Sequence, residues 1–371
     1  MKNSIIYPDY NHCLTNVACS ILKHFKLPYK HNTLHFLDSF MEKRNYKNII
    51  VLVYDGLGLD IIRKNLSLES FLLKNVKGEI TSVFPSTTAA ATTSLLSGLN
   101  PCEHGRIGYD IYFKSINKNV SIFSNTIKDT DIEAAPYNVV DTFLPYESIL
   151  TQINSAGQYK AYGLFPFGKN HYQDLDDMLS QIKKISTLDQ KKYIYAYYNE
   201  PDHSMHQNGT CSENTKKLIK ELNIKTENFV KELNESLIII LADHGHIDTK
   251  VINLELEYPE FVKLIEGNTS IEGRACAFWV REQNRTIFEN TFNSLFSKDF
   301  ILLKTDEVLE KKLFGDGVEN HNFEASLGDY IALGTGNRYF ELHYYPDDMK
   351  AHHAGITENE MVIPLIIIEK I

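Results

Sequence analysis

Acidic and histidine residues follow three separate apolar runs in this sequence of 371 residues. They are Asp55 after IIVLVY, Asp202 and then His206 after YIYAYYNEP, and Asp243 with His244 after LIIILA. Carboxylates combined with neutral imidazoles are ligands that suit Zn²⁺ or Mn²⁺. A single Asp after a strand is more often a helix cap or a turn residue. Three such sets, each at the same end of a buried strand, instead favour a metal site.

Two further segments carry groups that such a site would use. Residues 85–91, Pro-Ser-Thr-Thr-Ala-Ala-Ala, place hydroxyl groups at the start of an Ala-rich helix. Free backbone N–H groups and the helix dipole favour an alkoxide or a phosphate there. Residues 351–355, Ala-His-His-Ala-Gly, precede the last apolar run, so one imidazole is expected to face the same crevice. The plainer interpretations are a Ser/Thr helix cap and a solvated loop.

The elements that position these groups follow from alternating apolar runs and helical periods. Short, bounded apolar runs predict strands at 49–54, 158–165, 193–198, 237–241 and 362–368. Helices are predicted at about 88–97, 174–186 and 212–233. This alternation predicts an α/β fold with a mainly parallel central sheet flanked by helices. Ligands bind beyond the carboxyl ends of the strands in such a sheet, so the metal-binding side chains are expected to converge there.

Residues 251–349 show a different pattern. They hold a strand-like RACAFWV, a helix near 284–297, an FILL strand and aromatic strands at 329–345. This pattern predicts a smaller α+β lobe, inserted before the last metal ligand. Residues 1–250 and 350–371 would then form the catalytic core.

Charge and cysteine usage limit the partners and the compartment. The net charge of −10 argues against a nucleic-acid polymer, because that binding needs a basic field. Bound metal ions still allow a small anionic substrate. No apolar stretch has the length of a signal-peptide core or of a membrane span, which predicts no membrane partner. The scattered cysteines, which predict a reduced cytoplasmic protein, are Cys13, Cys19, Cys102, Cys211 and Cys276.

Five blocks, in their order and spacing, resemble the nucleotide pyrophosphatase/phosphodiesterase branch of the alkaline phosphatase superfamily. The blocks are VYDGLG, VFPSTTAAATTSLLSGLNPCEHG, NEPDHSMH, LADHGH and HHAGITENEMVIPLII, and they span about residue 47 to the end. The resemblance implies an alkaline-phosphatase-like fold. It also implies a two-metal phosphoesterase that hydrolyses phosphodiester or pyrophosphate bonds of small substrates, with nucleotide-type substrates favoured.

Carried over position by position, the resemblance implies Thr88 as the nucleophile, bound to one metal and forming a phosphothreonine intermediate. It implies two divalent ions, with Zn²⁺ favoured over Mn²⁺. The ligands would be Asp55, Asp243 and His244 for the metal that activates Thr88, and Asp202, His206 and His353 for the second. The neighbouring histidines His203, His246 and His352 are expected to lie behind the ligands or to be exposed. Ser86 and Thr87 are expected to cap the helix.

Two positions depart from the family pattern, and both concern the substrate more than the metals. Residues 89–91 are Ala-Ala-Ala where the family has Phe-Pro-Asn, and Tyr109 stands in place of an Asn that often contacts a phosphate oxygen. A phosphomonoesterase, a phosphonate hydrolase or a phosphomutase on the same site therefore stays open. A catalytically inactive, metal-stabilised binding protein is a further alternative, against which Thr88 and six intact ligands argue.

Overall fold

The computed structural model describes residues 4–168, 171–343 and 348–371. In chain order its strands are β1 Asn48–Tyr54, β2 Val76–Thr81, β3 Asp110–Phe113, β4 Lys118–Ser121, β5 Thr126–Ile127, β6 Lys160–Leu164, β7 Lys192–Tyr198, β8 Ser236–Leu241, β9 Ile247–Asp248, β10 Lys250–Asn253, β11 Ser270–Glu272, β12 Ala275–Phe278, β13 Phe300–Lys304, β14 Tyr330–Gly334, β15 Arg338–Glu341, β16 Ala351–His352 and β17 Val362–Lys370. The end of the predicted strand segment, 344–345, lies outside the described residues.

The helices follow the same chain order. They are α1 Leu14–His24, α2 His35–Lys43, α3 Leu59–Asn65, α4 Phe71–Lys74, α5 Thr88–Ser97, α6 Pro101–His104, α7 Val139–Phe143, α8 Ile149–Ala156, α9 Leu175–Ser186, α10 Asp202–Asn208, α11 Glu213–Lys231, α12 Leu254–Glu257, α13 Pro259–Val262, α14 Arg285–Phe296, α15 Thr305–Glu310, α16 Phe323–Ser326 and α17 Glu358–Met361, with a 3₁₀ turn at Glu282–Asn284. Among the described residues, no helix has the length and apolar character needed to cross a bilayer.

A six-stranded sheet in the order β2-β17-β8-β1-β7-β6 forms the centre of the molecule. The strands β8, β1, β7 and β6 pair in parallel, whereas β17 is antiparallel to both of its neighbours. Every residue of β1 and of β8 is buried, as expected for strands with cover on both faces. The predicted α/β fold with a mainly parallel central sheet flanked by helices is confirmed.

The antiparallel direction of β17 decides where the last predicted ligand lies. Ile366 of β17 pairs with Ile240, and Lys370 pairs with Ser236, so β17 begins beyond the carboxyl end of β8. The segment that precedes β17, which contains His353, therefore lies at the same edge of the sheet as the residues that follow β1 and β8.

A second, antiparallel sheet has seven strands in the order β13-β14-β12-β11-β3-β4-β5. The predicted lobe at 251–349 contributes β11 to β14, and residues 110–127 contribute β3 to β5. The sheet thus contains strands from both the predicted lobe and the predicted core. The division into a catalytic core and a lobe stays a prediction.

A buried ion pair joins the second sheet to the segment before β17. The Arg274 side chain, just ahead of β12, donates from Nε to Glu360 Oε1 at 2.7 Å and from Nη2 to Oε2 at 2.8 Å. Neither side chain is exposed. Glu360 also accepts from the backbone N–H of Gly355 at 2.8 Å. This bidentate pair fixes the turn that follows His353.

Candidate metal centre and active site

Three hydroxyl groups at the start of α5 have three different partners. Ser86 donates to the carbonyl of Gly355 at 2.9 Å, and Thr87 donates to Glu272 Oε1 at 2.7 Å. Thr87 is the N-cap residue of α5, yet its side chain makes no capping hydrogen bond. The expectation that Ser86 and Thr87 cap the helix is therefore wrong, because neither hydroxyl group accepts a hydrogen bond from a backbone N–H of α5 among the described residues. Of the three, Thr88 is the one that faces the predicted metal ligands.

The first predicted ligand set surrounds the Thr88 hydroxyl. Thr88 Oγ1 lies 3.4 Å from both carboxylate oxygens of Asp55 and 3.2 Å from His244 Nε2. His244 Nε2 lies 3.3 Å from Asp55 Oδ1 and 3.6 Å from Asp243 Oδ2. Ligands held about 2.0–2.2 Å from a tetrahedral ion lie about 3.3–3.6 Å apart. The spacing of these four groups therefore fits one Zn²⁺-sized ion.

The second predicted set lies beside the first. Asp202 Oδ1 is 3.4 Å from His206 Nε2 and 3.7 Å from His353 Nε2, close to the same tetrahedral spacing. The His353 ring stacks on His244, with centroids 3.8 Å apart, so the two sets share a border. The structure thus brings all six predicted ligand residues to one edge of the central sheet.

The three predicted ligand histidines share one orientation. Their Nδ1 atoms face backbone carbonyl oxygens: His206 faces Ala351 at 2.8 Å, His244 faces Gly245 at 3.0 Å and His353 faces Ser86 at 3.1 Å. A proton on Nδ1 leaves Nε2 as an unprotonated acceptor that points into the site. Carbonyl partners of this kind fix the tautomer and the ring position of metal-binding histidines.

His246 is placed differently from these three histidines. It is fully buried, and its Nε2 lies 2.5 Å from Asp202 Oδ1, whereas its Nδ1 has no partner in the described residues. One ring nitrogen of His246 and one possible metal-binding atom each from Asp202, His244 and His353 lie within 4.8 Å of one another. That group includes His246 and lacks His206. A separation of 2.5 Å is too short for two ligands of one ion, so His246 is better described as a hydrogen-bond donor that holds Asp202.

The other two neighbouring histidines have different partners. His203 is exposed and pairs with Gln207 at 3.2 Å. His352 is buried against the ring of Tyr339, with centroids 4.8 Å apart. Neither contact adds a ligand to the two sets.

The buried carboxyl groups give the site an excess of negative charge, which favours the binding of cations. Burial, and then the neighbouring Asp55, raise the pKa of Asp243 to about 8. Burial, and then Asp202, raise the pKa of Asp55 well above its usual range. Burial would also raise the pKa of Asp202, but His206 and His246 hold it well below. Asp243 Oδ2 is buried without a hydrogen-bond partner in the described residues. Divalent ions would supply the missing partner and the missing positive charge.

Two residues outside the ligand sets hold Asp55 and Asp243 in place. The hydroxyl group of Tyr197, on β7, donates to Asp55 Oδ2. The backbone N–H of Gly56 donates to Asp243 Oδ1 at 3.0 Å. Gly56 has φ of +70°, and a Cβ there would lie 2.9 Å from the His246 ring. A side chain at position 56 would therefore disturb both the turn after β1 and the support of Asp202.

A cavity of about 1080 Å³ opens onto Thr88 and the two ligand sets. Its lining includes the aromatic rings of Tyr109, Phe123, Phe165 and Phe167, the cations Arg106 and Lys128, and, besides Asp55 and Asp202, the carboxyl groups of Asp110, Asp129, Glu272 and Glu341. The aromatic rings form two pairs, with centroids 5.5 Å apart for Tyr109–Phe123 and 5.6 Å apart for the stacked Phe165–Phe167. A cavity of this size holds a ligand as large as a nucleotide.

Comparison with known proteins identifies a matching family model and solved structures with a similar fold. The family model described as type I phosphodiesterase / nucleotide pyrophosphatase matches residues 49–286. A search of the curated proteins gave no match.

Solved structures with a similar fold cover most of the chain. Murine ectonucleotide pyrophosphatase / phosphodiesterase 5 is 19% identical, with a TM-score of 0.65 over 85% of this chain and 87% of that chain. The human protein is 16% identical, with a TM-score of 0.64 over the same shares. Phosphonoacetate hydrolase from Sinorhizobium meliloti 1021 is 13% identical, with a TM-score of 0.63 over 87% of this chain and 90% of that chain. The chain therefore belongs to the type I phosphodiesterase / nucleotide pyrophosphatase family, a phosphoesterase family of the alkaline phosphatase superfamily.

Proposed function

We propose that the chain hydrolyses phosphodiester or pyrophosphate bonds of small nucleotide-type substrates with Thr88 as the nucleophile. The observation that carries the proposal is the position of the Thr88 hydroxyl, 3.2–3.4 Å from His244 and Asp55 at the N-terminus of α5. Free N–H groups at that helix end would receive the oxygens of the phosphoryl group.

Two divalent ions, with Zn²⁺ favoured over Mn²⁺, would bind to the two ligand sets. When bound, they supply Lewis-acid stabilisation of charge on the attacking, leaving and phosphoryl oxygens. The protein groups prepare the site for them: Tyr197 orients Asp55, and His246 orients Asp202. These contacts support a preformed site.

The proposed reaction passes through a phosphothreonine. The bond from Thr88 Oγ1 to phosphorus forms while the bond from phosphorus to the leaving oxygen breaks, and the hydroxyl proton is released. The leaving group departs with the electron pair of the broken bond. Water then attacks phosphorus, breaks its bond to Oγ1 and regenerates the hydroxyl group. An inactive threonine-to-alanine variant of the murine structural relative was solved in complex with AMP, which supports a threonine nucleophile and a nucleotide-type substrate.

The cavity walls also support a nucleotide-type substrate. The Phe165–Phe167 pair borders the cavity, and Phe167 is 64% exposed. An exposed aromatic face next to a phosphoryl site is suited to stacking against a nucleobase.

Turnover of bis(p-nitrophenyl) phosphate by the Zn²⁺-loaded protein, with and without chelator, tests the reaction class. Dinucleotides, nucleotide sugars and cyclic nucleotides then test the substrate class. We expect chelator-sensitive release of p-nitrophenol and a phosphorylated Thr88 peptide after an acid quench. Activity on p-nitrophenyl phosphate or phosphonoacetate, with none on any diester or pyrophosphate, would instead favour a phosphomonoesterase or a phosphonate hydrolase.

A further inference from the structure

Glu272 is a carboxyl group in the cavity wall that neither ligand set uses. It ends β11, and its Oε1 accepts hydrogen bonds from Thr87 Oγ1 at 2.7 Å and from the backbone N–H of Tyr109 at 2.9 Å. Among the described residues no hydrogen bond to Oε2 is present, and the side chain lines the cavity. Glu272 therefore places a carboxyl group in the cavity wall, hydrogen-bonded to the residue that precedes the proposed nucleophile.

The backbone before Glu272 is held in an unfavourable conformation. Ile271 has φ of +75°, a region that β-branched residues rarely adopt. Its side chain is fully buried, and it pairs with Asp110 of β3. A Cβ on Gly108 would lie 2.5 Å from the Ile271 carbonyl oxygen, so the two backbones meet without space for a side chain. Close packing that enforces such a conformation is typical of functional positions.

Glu272 also holds the Thr87 hydroxyl group at the N-terminus of α5. An N-cap Thr normally accepts a hydrogen bond from the first free N–H groups of its helix. Here the Thr87 hydroxyl makes no capping bond, and the hydrogen bond that it donates to Glu272 sets its orientation. The free N–H groups stay available for phosphoryl oxygens, and any anion bound there has Glu272 as a neighbour.

We propose that Glu272 is a specificity-determining residue that selects phosphodiesters over phosphomonoesters. A monoester carries a charge of about −1.5 to −2 at pH 7, whereas a diester carries a single negative charge. A carboxylate beside the phosphoryl group repels the more highly charged monoester more strongly. This inference rests on the proposed function of the Thr88 site and adds the discrimination between substrate classes.

The test compares Glu272→Gln with the wild type, both loaded with Zn²⁺. Glutamine keeps an oxygen that accepts from Thr87 and Tyr109 but removes the charge. Desolvation raises the pKa of Glu272 to about 7, so assays at pH 8.5 keep the wild-type carboxyl ionised. We expect the ratio of kcat/KM for p-nitrophenyl phosphate to that for bis(p-nitrophenyl) phosphate to rise by about tenfold or more.

Glu341→Gln is the matched control. Glu341 lines the same cavity, but its neighbours are Tyr339, Asp348 and Asp129 rather than the start of α5. The substitution removes one charge from the cavity and should change the ratio far less. If Glu272→Gln does not fold, Glu272→Ala removes the same charge and should raise the same ratio of kcat/KM values.

A binding measurement separates this inference from the proposed function. In a Thr88→Ala background, Glu272→Gln should tighten the binding of AMP, a monoester, by about tenfold and leave the affinity for bis(p-nitrophenyl) phosphate nearly unchanged. An unchanged turnover ratio together with unchanged AMP affinity would overturn the role of Glu272. Absence of turnover on every diester and pyrophosphate would instead overturn the proposed function, while AMP binding would still decide the role of Glu272.

Discussion

Replacing Asp243 with Asn should change how the stability of the metal-free protein depends on pH. Asp243 is fully buried, and its pKa rises from 3.8 to about 8 because of burial and of Asp55 nearby. The folded protein therefore binds this proton more tightly than the unfolded chain does. The resulting stability is complete below pH 4 and is lost as the pH rises through 8. A shift of four units corresponds to about 5 kcal/mol as an upper value.

Urea denaturation in excess chelator at pH 5 and at pH 8.5 measures this loss. Between the two values the contribution of Asp243 to the unfolding free energy should fall by about 4 kcal/mol, because pH 5 already lies above the ordinary carboxyl pKa of 3.8. Asp243→Asn, which cannot ionise, should lose much less. Asp189→Asn, at a fully exposed side chain, should behave like the wild type. Zn²⁺ should restore wild-type stability at pH 8.5 but not that of Asp243→Asn. Equal losses in wild type and Asp243→Asn would refute the assignment of buried, unbalanced charge to this carboxyl.

Further predictions concern the nucleophile, the metals and the buried ion pair. Thr88→Ala should abolish turnover in steady-state assays yet keep metal binding in calorimetry, whereas Thr87→Ala should keep measurable turnover. The affinity of the site for divalent metal ions should fall as the pH is lowered. Burial lowers the pKa of His206, but Asp202 beside it raises it above the usual value, so a proton competes with the metal. Glu360→Ala should lower the free energy of unfolding by about 3–5 kcal/mol in urea titrations, because Arg274 is left buried and unpaired.

The strands and helices of the central sheet could be predicted because their signals are local. The predicted helix at 88–97 is α5, and the predicted strand at 193–198 is β7 with one more residue. Each predicted ligand follows or precedes a strand of the same sheet. Once β1, β7 and β8 are parallel neighbours, their carboxyl ends must meet, and the convergence of Asp55, Asp202 and Asp243 follows.

Glu272 could not be predicted because its role depends on contacts between distant segments. In sequence it lies in an ordinary short strand, 185 residues from Thr87 and 163 from Tyr109. The same reason explains the incorrect cap prediction: Thr87 is a suitable cap by residue type, but a hydrogen bond to Glu272, from the second sheet, orients its hydroxyl group. His246 had a weak local signal in the block LADHGH. Only its distance to Asp202 distinguishes a supporting role from a ligand.

The position of β17 between β2 and β8 has a consequence for synthesis on the ribosome. β17 is the last of the six central strands to emerge, so until residues 362–370 are available the facing edges of β2 and β8 have no partner. An apolar strand such as β8 with an open edge is prone to pair with other chains. His353 lies just ahead of β17, so the entry of β17 into this gap brings His353 to the other predicted ligands. Divalent ions would therefore meet the complete set of predicted ligands only after this late step.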